Sequence, residues 1–92
     1  MAKFLMLGKY SVDALNSIST DRTKKVTGII EKNGGKVESM YAILGKFDLA
    51  FVVDLPSVQG AIKTSVDIAR ATGISFKSYP AVTVSEFDKL VG

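Results

Sequence analysis

Residues 37–54 read VESMYAILGKFDLAFVVD and have the pattern of a β-hairpin. Two apolar segments, Val37–Leu44 and Leu49–Asp54, each have the length and composition of a strand. Between them lies the segment GKFD, whose first residue, Gly45, suits the positive φ of a tight turn. We therefore predict two antiparallel strands joined by a turn at residues 45–48.

Both faces of this hairpin are apolar. Successive side chains point to opposite faces, so a hairpin open to water on one side carries polar residues at every second position. Helices on both sides of the sheet would explain the pattern, and so would helices on one side and a second sheet on the other. The predicted register places Leu44 opposite Leu49, Ala42 opposite Phe51 and Met40 opposite Val53 on one face, and Ile43 opposite Ala50, Tyr41 opposite Val52 and Ser39 opposite Asp54 on the other.

The composition is typical of one compact domain, which we expect to span residues 1–92. Of the 92 residues, 47% are hydrophobic and 23% are charged, and the mean hydropathy is +0.24, too apolar for a disordered chain. A domain of this size buries only about two-thirds of the surface that its unfolded chain exposes. We therefore expect a marginally stable monomer and a homodimer or higher homo-oligomer.

Charge and cysteine content limit the kinds of partner. The net charge is +3, and the basic residues are scattered rather than concentrated into the patch that a nucleic-acid surface requires. No apolar run approaches the ~20 residues of a membrane span, and there is no cysteine for a disulfide. We expect a cytoplasmic protein that binds neither nucleic acid nor membranes.

The segments on either side of the hairpin predict further helices and strands. Those before it are a strand at Lys3–Lys9, a short helix that Ser11 caps and that contains Leu15 and Ile18, and a helix from Ser19 or Thr20 to Asn33-Gly34-Gly35. Those after it are a helix from Pro56-Ser57 to Ala71-Thr72-Gly73 with an apolar stripe of Val58, Ala61, Ile62, Val66 and Ala69, an edge strand at Ile74–Ser78 before Pro80, and a helix at Val84–Leu90 capped by Ser85.

The element order β-α-β-β-α-β predicts an α+β fold, the ferredoxin-like plait with a four-stranded antiparallel sheet. Right-handed crossovers place both helices on the same face of such a sheet. The other face is then bare, which agrees with the apolar second face of the hairpin. We therefore predict a homodimer joined sheet to sheet.

The hairpin resembles the GYD domain family, which is named for a glycine, aromatic and aspartate signature at this turn. Here the signature residues are Gly45, Phe47 and Asp48, and the similarity extends through residues 33–37 before the turn and 49–54 after it. Phe47 stands where tyrosine is typical. The resemblance implies the fold and brings no activity with it.

The hairpin and the helix after it are also similar to the ligand-sensing domain of leucine-responsive transcription regulators, which has a Gly-x-x-Asp turn. That similarity implies a dimeric α/β barrel with small effectors near the subunit interfaces. The chain has no room for the helix-turn-helix of those regulators, so we do not expect a stand-alone DNA-binding protein.

Four residues are candidates for a ligand site: Asp48, Tyr41, Tyr10 and Tyr79. Asp48 is expected to accept hydrogen bonds from turn amides, and the alternative is that its carboxylate holds a ligand amine at the subunit edge. The three tyrosines are expected to be half-buried packing residues, and the alternative is that their hydroxyls line a cavity. Gly45, Lys46 and Phe47 are expected to be structural turn residues.

Charged side chains on the helices offer a second kind of candidate. Arg22 and Arg70 can each bind an anion through two parallel hydrogen bonds. Exposed arginines that form weak ion pairs are the commoner outcome on a helix surface.

The absence of histidine removes the usual zinc ligand, haem ligand and neutral-pH general base. We expect no metal and no cofactor. The function that the sequence favours is a homodimeric small-molecule-binding or regulatory module. One alternative is a small cofactorless enzyme, oxygenase- or isomerase-like, because related dimeric barrels include such enzymes with sites between the helices and the sheet. Another is an interaction partner without a pocket.

Overall fold

The computed structural model of the protein describes all residues from Met1 to Gly92. The chain forms one antiparallel sheet with strand order β2-β3-β1-β4. This confirms the predicted α+β, ferredoxin-like plait. The elements are β1 (Ala2–Tyr10), α1 (Val12–Leu15), α2 (Thr20–Lys32), β2 (Lys36–Ala42), β3 (Leu49–Leu55), α3 (Val58–Thr72), β4 (Ile74–Ala81) and α4 (Val84–Val91).

The hydrophobic core lies between one face of the sheet and the helices α2 and α3. The central strands β1 and β3 contribute alternate residues to it, as period-two side chains must. Both helices pack on this face, and the opposite face of the sheet carries no helix. The largest buried side chains in this core are Phe4, Met6, Val26, Ile30, Phe51, Val53, Leu55, Ile68 and Ile74.

The ends of α2 and α3 follow the predicted capping pattern. Ser19 and Ser57 each accept a hydrogen bond from the N–H of the residue three positions later, at 3.1 and 3.0 Å. Gly34 and Gly73 follow the two helices with φ values of +82° and +76°, the left-handed conformation that glycine adopts without strain.

The hairpin register differs from the prediction by two residues. Strand β2 ends at Ala42, which pairs with Leu49, and Met40 pairs with Phe51. Residues 43–48 form a longer loop because Asp48 binds the end of β1, as described below, and Leu44 in this loop is fully exposed. A shift of two residues leaves the side chains of residues 39–42 on their predicted faces, since the side-chain period is two. An irregularity between Val37 and Ser39 shifts the register by one further residue, so Val37 pairs with Val53 and packs against the core.

Three helical predictions were wrong in detail. Helix α1 ends at Leu15, so Ile18 lies outside it. Thr83, not Ser85, caps α4 by accepting the Glu86 N–H at 3.1 Å, because the helix begins at Val84 and its N-cap is the residue before it. Helix α3 meets the sheet through buried Ala61, Thr64 and Ile68, and this rotation leaves three members of the predicted stripe exposed: Val58, Ile62 and Val66.

Strand β4 extends beyond its predicted end and includes Pro80. Proline is tolerated there because β4 is an edge strand, whose outward N–H groups have no partner in the sheet. After β4, helix α4 has no buried residue, and its apolar side chains are exposed. None of the helices is long and apolar enough to cross a membrane.

Gly35 lies against the core residues Leu55 and Ile30, and we expect Gly35→Ala to lower the free energy of unfolding by about 1–3 kcal/mol. A Cβ there would lie 2.5 Å from the Leu55 side chain and 2.9 Å from the Asp54 carbonyl oxygen, and that backbone atom cannot move aside. Gly28→Ala in α2 is the matched control, since nothing lies within 4 Å of its added Cβ. It should raise stability by roughly 0.5–1 kcal/mol through helix propensity. Urea denaturation measures both, and equal effects would contradict the prediction.

Candidate functional site

A cavity of about 200 Å³ opens between α2 and the sheet, at the end of the molecule that carries the hairpin loop. Nine of its eleven lining residues are hydrophobic, so an apolar molecule is desolvated favourably there. The lining comes from α2, from Ile18 in the segment between α1 and α2, from the end of β2, from the start of β3, and from the adjoining ends of β1 and β4. Its apolar wall includes Val26, Met40, Leu49, Phe51 and Ile74.

Arg22 is the one charged residue in this lining. Its guanidinium carbon lies 4.9 Å from the centre of the Tyr10 ring, within the range of a cation–π interaction. Its Nη1 donates a hydrogen bond to the carbonyl oxygen of Ala14 at the end of α1. Two contacts therefore hold the side chain of Arg22 against the cavity wall.

Asp48 connects the hairpin loop to the end of β1. Its Oδ2 accepts a hydrogen bond from the Tyr10 N–H at 2.9 Å, and its own N–H donates to the Gly8 carbonyl oxygen at 2.9 Å. The Asp48 carbonyl accepts the N–H of Ile43 at 2.9 Å, which closes the loop. The expectation that the carboxylate binds amides of its own turn was wrong, because its partner belongs to the neighbouring strand.

Gly45, Lys46 and Phe47 lie in the loop between β2 and β3, outside the lining of the cavity. Gly45 has a φ of +145°, which is strained for any residue with a Cβ. The Lys46 amino group lies 5.9 Å from the centre of the Phe47 ring.

The structure brings two of the four candidate site residues together. Tyr10 and Tyr41 both line the cavity, with Tyr41 at its open rim on the edge strand β2. Asp48 is outside the lining and reaches it only through the backbone of Tyr10. Tyr79 lies away from the cavity, on the open face of the sheet, where it pairs with Leu5.

Arg22 is the cavity residue that sequence reasoning undervalued. It was expected to be an exposed helix charge, but it is half-buried beside Tyr10. The sequence carries one signal for this contact: Arg22 stands in the first turn of α2, and Tyr10 ends the strand before it. The contact itself depends on how α1 turns the chain, and no local pattern specifies that path.

The open face of the sheet forms a second candidate surface. Its apolar centre consists of half-buried residues from the two central strands, Leu5, Leu7, Ala50 and Val52. Tyr41 and Tyr79, on the two edge strands, are 63% and 47% exposed. So much contiguous apolar surface on a small domain is typical of an interface.

Charged side chains lie at one end of the open face. The Lys3 Nζ lies 2.5 Å from Glu38 and 3.3 Å from Asp54. The hydrogen bond with Glu38 raises the pKa of Lys3 above its ordinary value, and Asp54 adds to that effect. Lys3 therefore stays protonated at neutral pH, and its charge is balanced by two carboxylates.

Asp48→Ala should lower the free energy of unfolding by roughly 0.5–2 kcal/mol, by analogy with helix caps, because the Tyr10 N–H loses its acceptor. Asp48→Asn is the matched variant: an amide oxygen in the same place can still accept that bond, so most of the stability should remain. Thermal melts of the three proteins compare them. An Asn variant as unstable as the Ala variant would contradict the assignment and show that the negative charge itself is required.

The sequence matches the model of the GYD domain over residues 4–91. No curated protein matches it. Two solved structures share the fold. The leucine response regulatory protein LrpA of Mycobacterium tuberculosis has a TM-score of 0.59 and 12% identity, with 89% of this chain and 51% of that chain covered. A second structure, of a glutamate-to-alanine mutant, has a TM-score of 0.66 and 16% identity, with 89% and 50% covered. This chain thus corresponds to about half the length of each.

Proposed function

This chain belongs to the GYD domain family, and from that premise we propose that it is a homodimeric small-molecule-binding or regulatory module. The observation that carries the proposal is the apolar cavity between α2 and the sheet, with Arg22 and Tyr10 in its wall. Small-molecule sites combine such an apolar lining with a few oriented polar groups. The shared fold with the leucine response regulatory protein agrees with a regulatory or sensing role.

The lining supports binding better than catalysis. General acid–base catalysis needs a group that gains or loses a proton near the working pH. The polar groups of the cavity are the side chains of Arg22 and Thr23 and the hydroxyls of Tyr10 and Tyr41, and no carboxylate is among them. These groups can orient and hold a ligand through hydrogen bonds.

A cofactorless enzyme remains the second candidate, favoured by the location of the cavity. It lies between the helices and the sheet of one chain, where the enzyme alternative places its site. A time course of product formation from any molecule retained by the protein separates the two functions, because a binding module releases its ligand unchanged.

The proposed dimer joins two open sheet faces. Stable interfaces bury about 1,200 Å² or more in total and have an apolar centre. The open face supplies such a centre in Leu5, Leu7, Ala50 and Val52. Helix α4 starts beside this face, because Glu86 lines a depression together with Lys3 and Asp54. Four apolar side chains of α4 are exposed as well: Val84, Phe87, Leu90 and Val91.

Native mass spectrometry of protein purified from its own cells tests both parts of the proposal. The expected result is a species of twice the 9.9 kDa chain mass that carries a small molecule, released on denaturation. Light scattering at micromolar concentration should give the same dimer mass. A monomer would overturn the sheet-to-sheet model, and a dimer that neither retains nor binds any small molecule would reduce the protein to an interaction partner without a pocket.

A further inference from the structure

We propose that the cavity takes a small carboxylate with a single apolar ring or a branched chain, and that Arg22 binds its carboxylate group. This inference rests on the proposed function of the cavity as a binding site, and it adds the class of ligand and the residue that selects it.

The charge of the ligand follows from the state of Arg22. A guanidinium group has five N–H donors, and one hydrogen bond from Arg22 is present, to the carbonyl oxygen of Ala14. The ion pairs of the protein involve Lys3 and Lys63, so no acidic side chain neutralises Arg22. A half-buried cation beside apolar groups, with donors to spare, favours a carboxylate over a neutral or cationic group.

The nearest carboxylate of the hairpin loop does not compete for this position. Asp48 directs its Oδ2 to the Tyr10 N–H and forms no ion pair with Arg22. The cavity thus has the positive side chain of Arg22 in its wall, while the carboxylate of Asp48 already accepts a hydrogen bond from the backbone of Tyr10.

The size of the ligand follows from the volume of the cavity. An engineered apolar cavity of about 150 Å³ binds benzene. The present cavity, at about 200 Å³, holds one ring or a branched chain together with a carboxylate. The apolar wall of the cavity indicates that the remainder of the ligand is apolar. The side chains of Val26, Leu49 and Ile74 offer dispersion contacts and no hydrogen bonds.

Arg22 is also held in place before any ligand arrives. Its backbone N–H donates to the Ser19 Oγ at 3.1 Å, its Nη1 is bonded to Ala14, and its guanidinium lies against the Tyr10 ring. A side chain already ordered in the free protein loses little conformational entropy on binding. This arrangement suits a permanent anion subsite.

The experiment titrates the full-length protein with three probes and follows amide and methyl resonances by NMR. Benzoate has the ring and the charge, benzamide has the ring alone, and acetate has the charge alone. We expect benzoate to shift the resonances of Val26, Leu49 and Ile74 and to bind at least about tenfold more tightly than either other probe.

Variants separate the role of Arg22 from general electrostatics. Arg22→Gln removes the charge and should weaken benzoate binding at least about tenfold, to the level of benzamide. Arg22→Lys keeps the charge and should retain part of the preference for benzoate. Arg70→Gln is the matched control, because it removes the same charge from the exposed side of α3 and should leave binding unchanged. Thermal melts of each variant show whether it is folded.

Each outcome decides one question. Equal binding of benzoate and benzamide, or folded Arg22 variants that bind benzoate as the wild type does, would overturn the anion subsite and leave the cavity as a binding site. Acetate binding as tightly as benzoate would overturn the apolar part of the ligand. The absence of shifts at cavity residues with every probe would overturn this inference, and a protein that also retains no molecule from its own cells would overturn the proposed binding function.

Discussion

Phe51→Ala is expected to lower the free energy of unfolding by about 3–5 kcal/mol. Phe51 lies on the central strand β3 with 2% of its surface exposed. Its ring centre lies 5.0 Å from that of Phe76, with the planes tilted by 42°, a geometry that adds to the energy of burial. The substitution removes both the buried ring and this aromatic contact.

The position of Phe51 places its loss at the severe end of core substitutions. It also lines the cavity between α2 and the sheet, so its removal enlarges a space that is already present. The destabilisation grows with the volume of the residual cavity. We therefore expect the free energy of unfolding to fall by an amount near the upper end of this range.

Urea denaturation at one fixed protein concentration measures the effect, since the stability of an oligomer depends on concentration. Phe47→Ala in the hairpin loop is the matched control. Its ring is only half-buried, and we expect a change within about 1 kcal/mol. If both variants unfolded at the same denaturant concentration as the wild type, the central position of β3 in the core would be wrong.

Val52→Lys is expected to convert the proposed dimer into a monomer. Val52 pairs with Leu5 at the centre of the open face, where a sheet-to-sheet interface would bury it from both sides. An ammonium group enclosed there without a partner costs several kcal/mol. The dissociation constant should therefore rise at least about a hundredfold, since each tenfold change corresponds to about 1.4 kcal/mol.

The fold itself should tolerate this change, because Val52 is half-buried in the single chain and a lysine can extend into water there. Circular dichroism should stay unchanged while light scattering shows the mass of one chain. Gln59→Lys adds the same charge on the exposed surface of α3 and should leave the dimer intact. A Val52→Lys protein that remains dimeric would place the interface elsewhere on the molecule.

The sequence by itself determined which elements form and which side of each strand is apolar. These features depend on residues a few positions apart: the alternation along residues 37–54, the serine caps at Ser19 and Ser57, and the left-handed glycines that follow the two helices. Elements predicted from such local patterns stay correct even when the predicted register of two strands is wrong. The hairpin shifted by two residues, and Phe51 and Val53 still share one face of the sheet, because the side-chain period is two.

Only the tertiary structure decided the site. The register follows from Asp48 bonding to Gly8 and Tyr10, which lie about forty positions earlier in the chain. The exposed stripe of α3 follows from its rotation on the sheet, and the contact of Arg22 with Tyr10 follows from the path of α1 between them. Each of these contacts joins segments whose spacing in the sequence says nothing about their distance in space. The physical reason is that such pairs meet through the packing of whole elements, whose geometry no short stretch of sequence encodes.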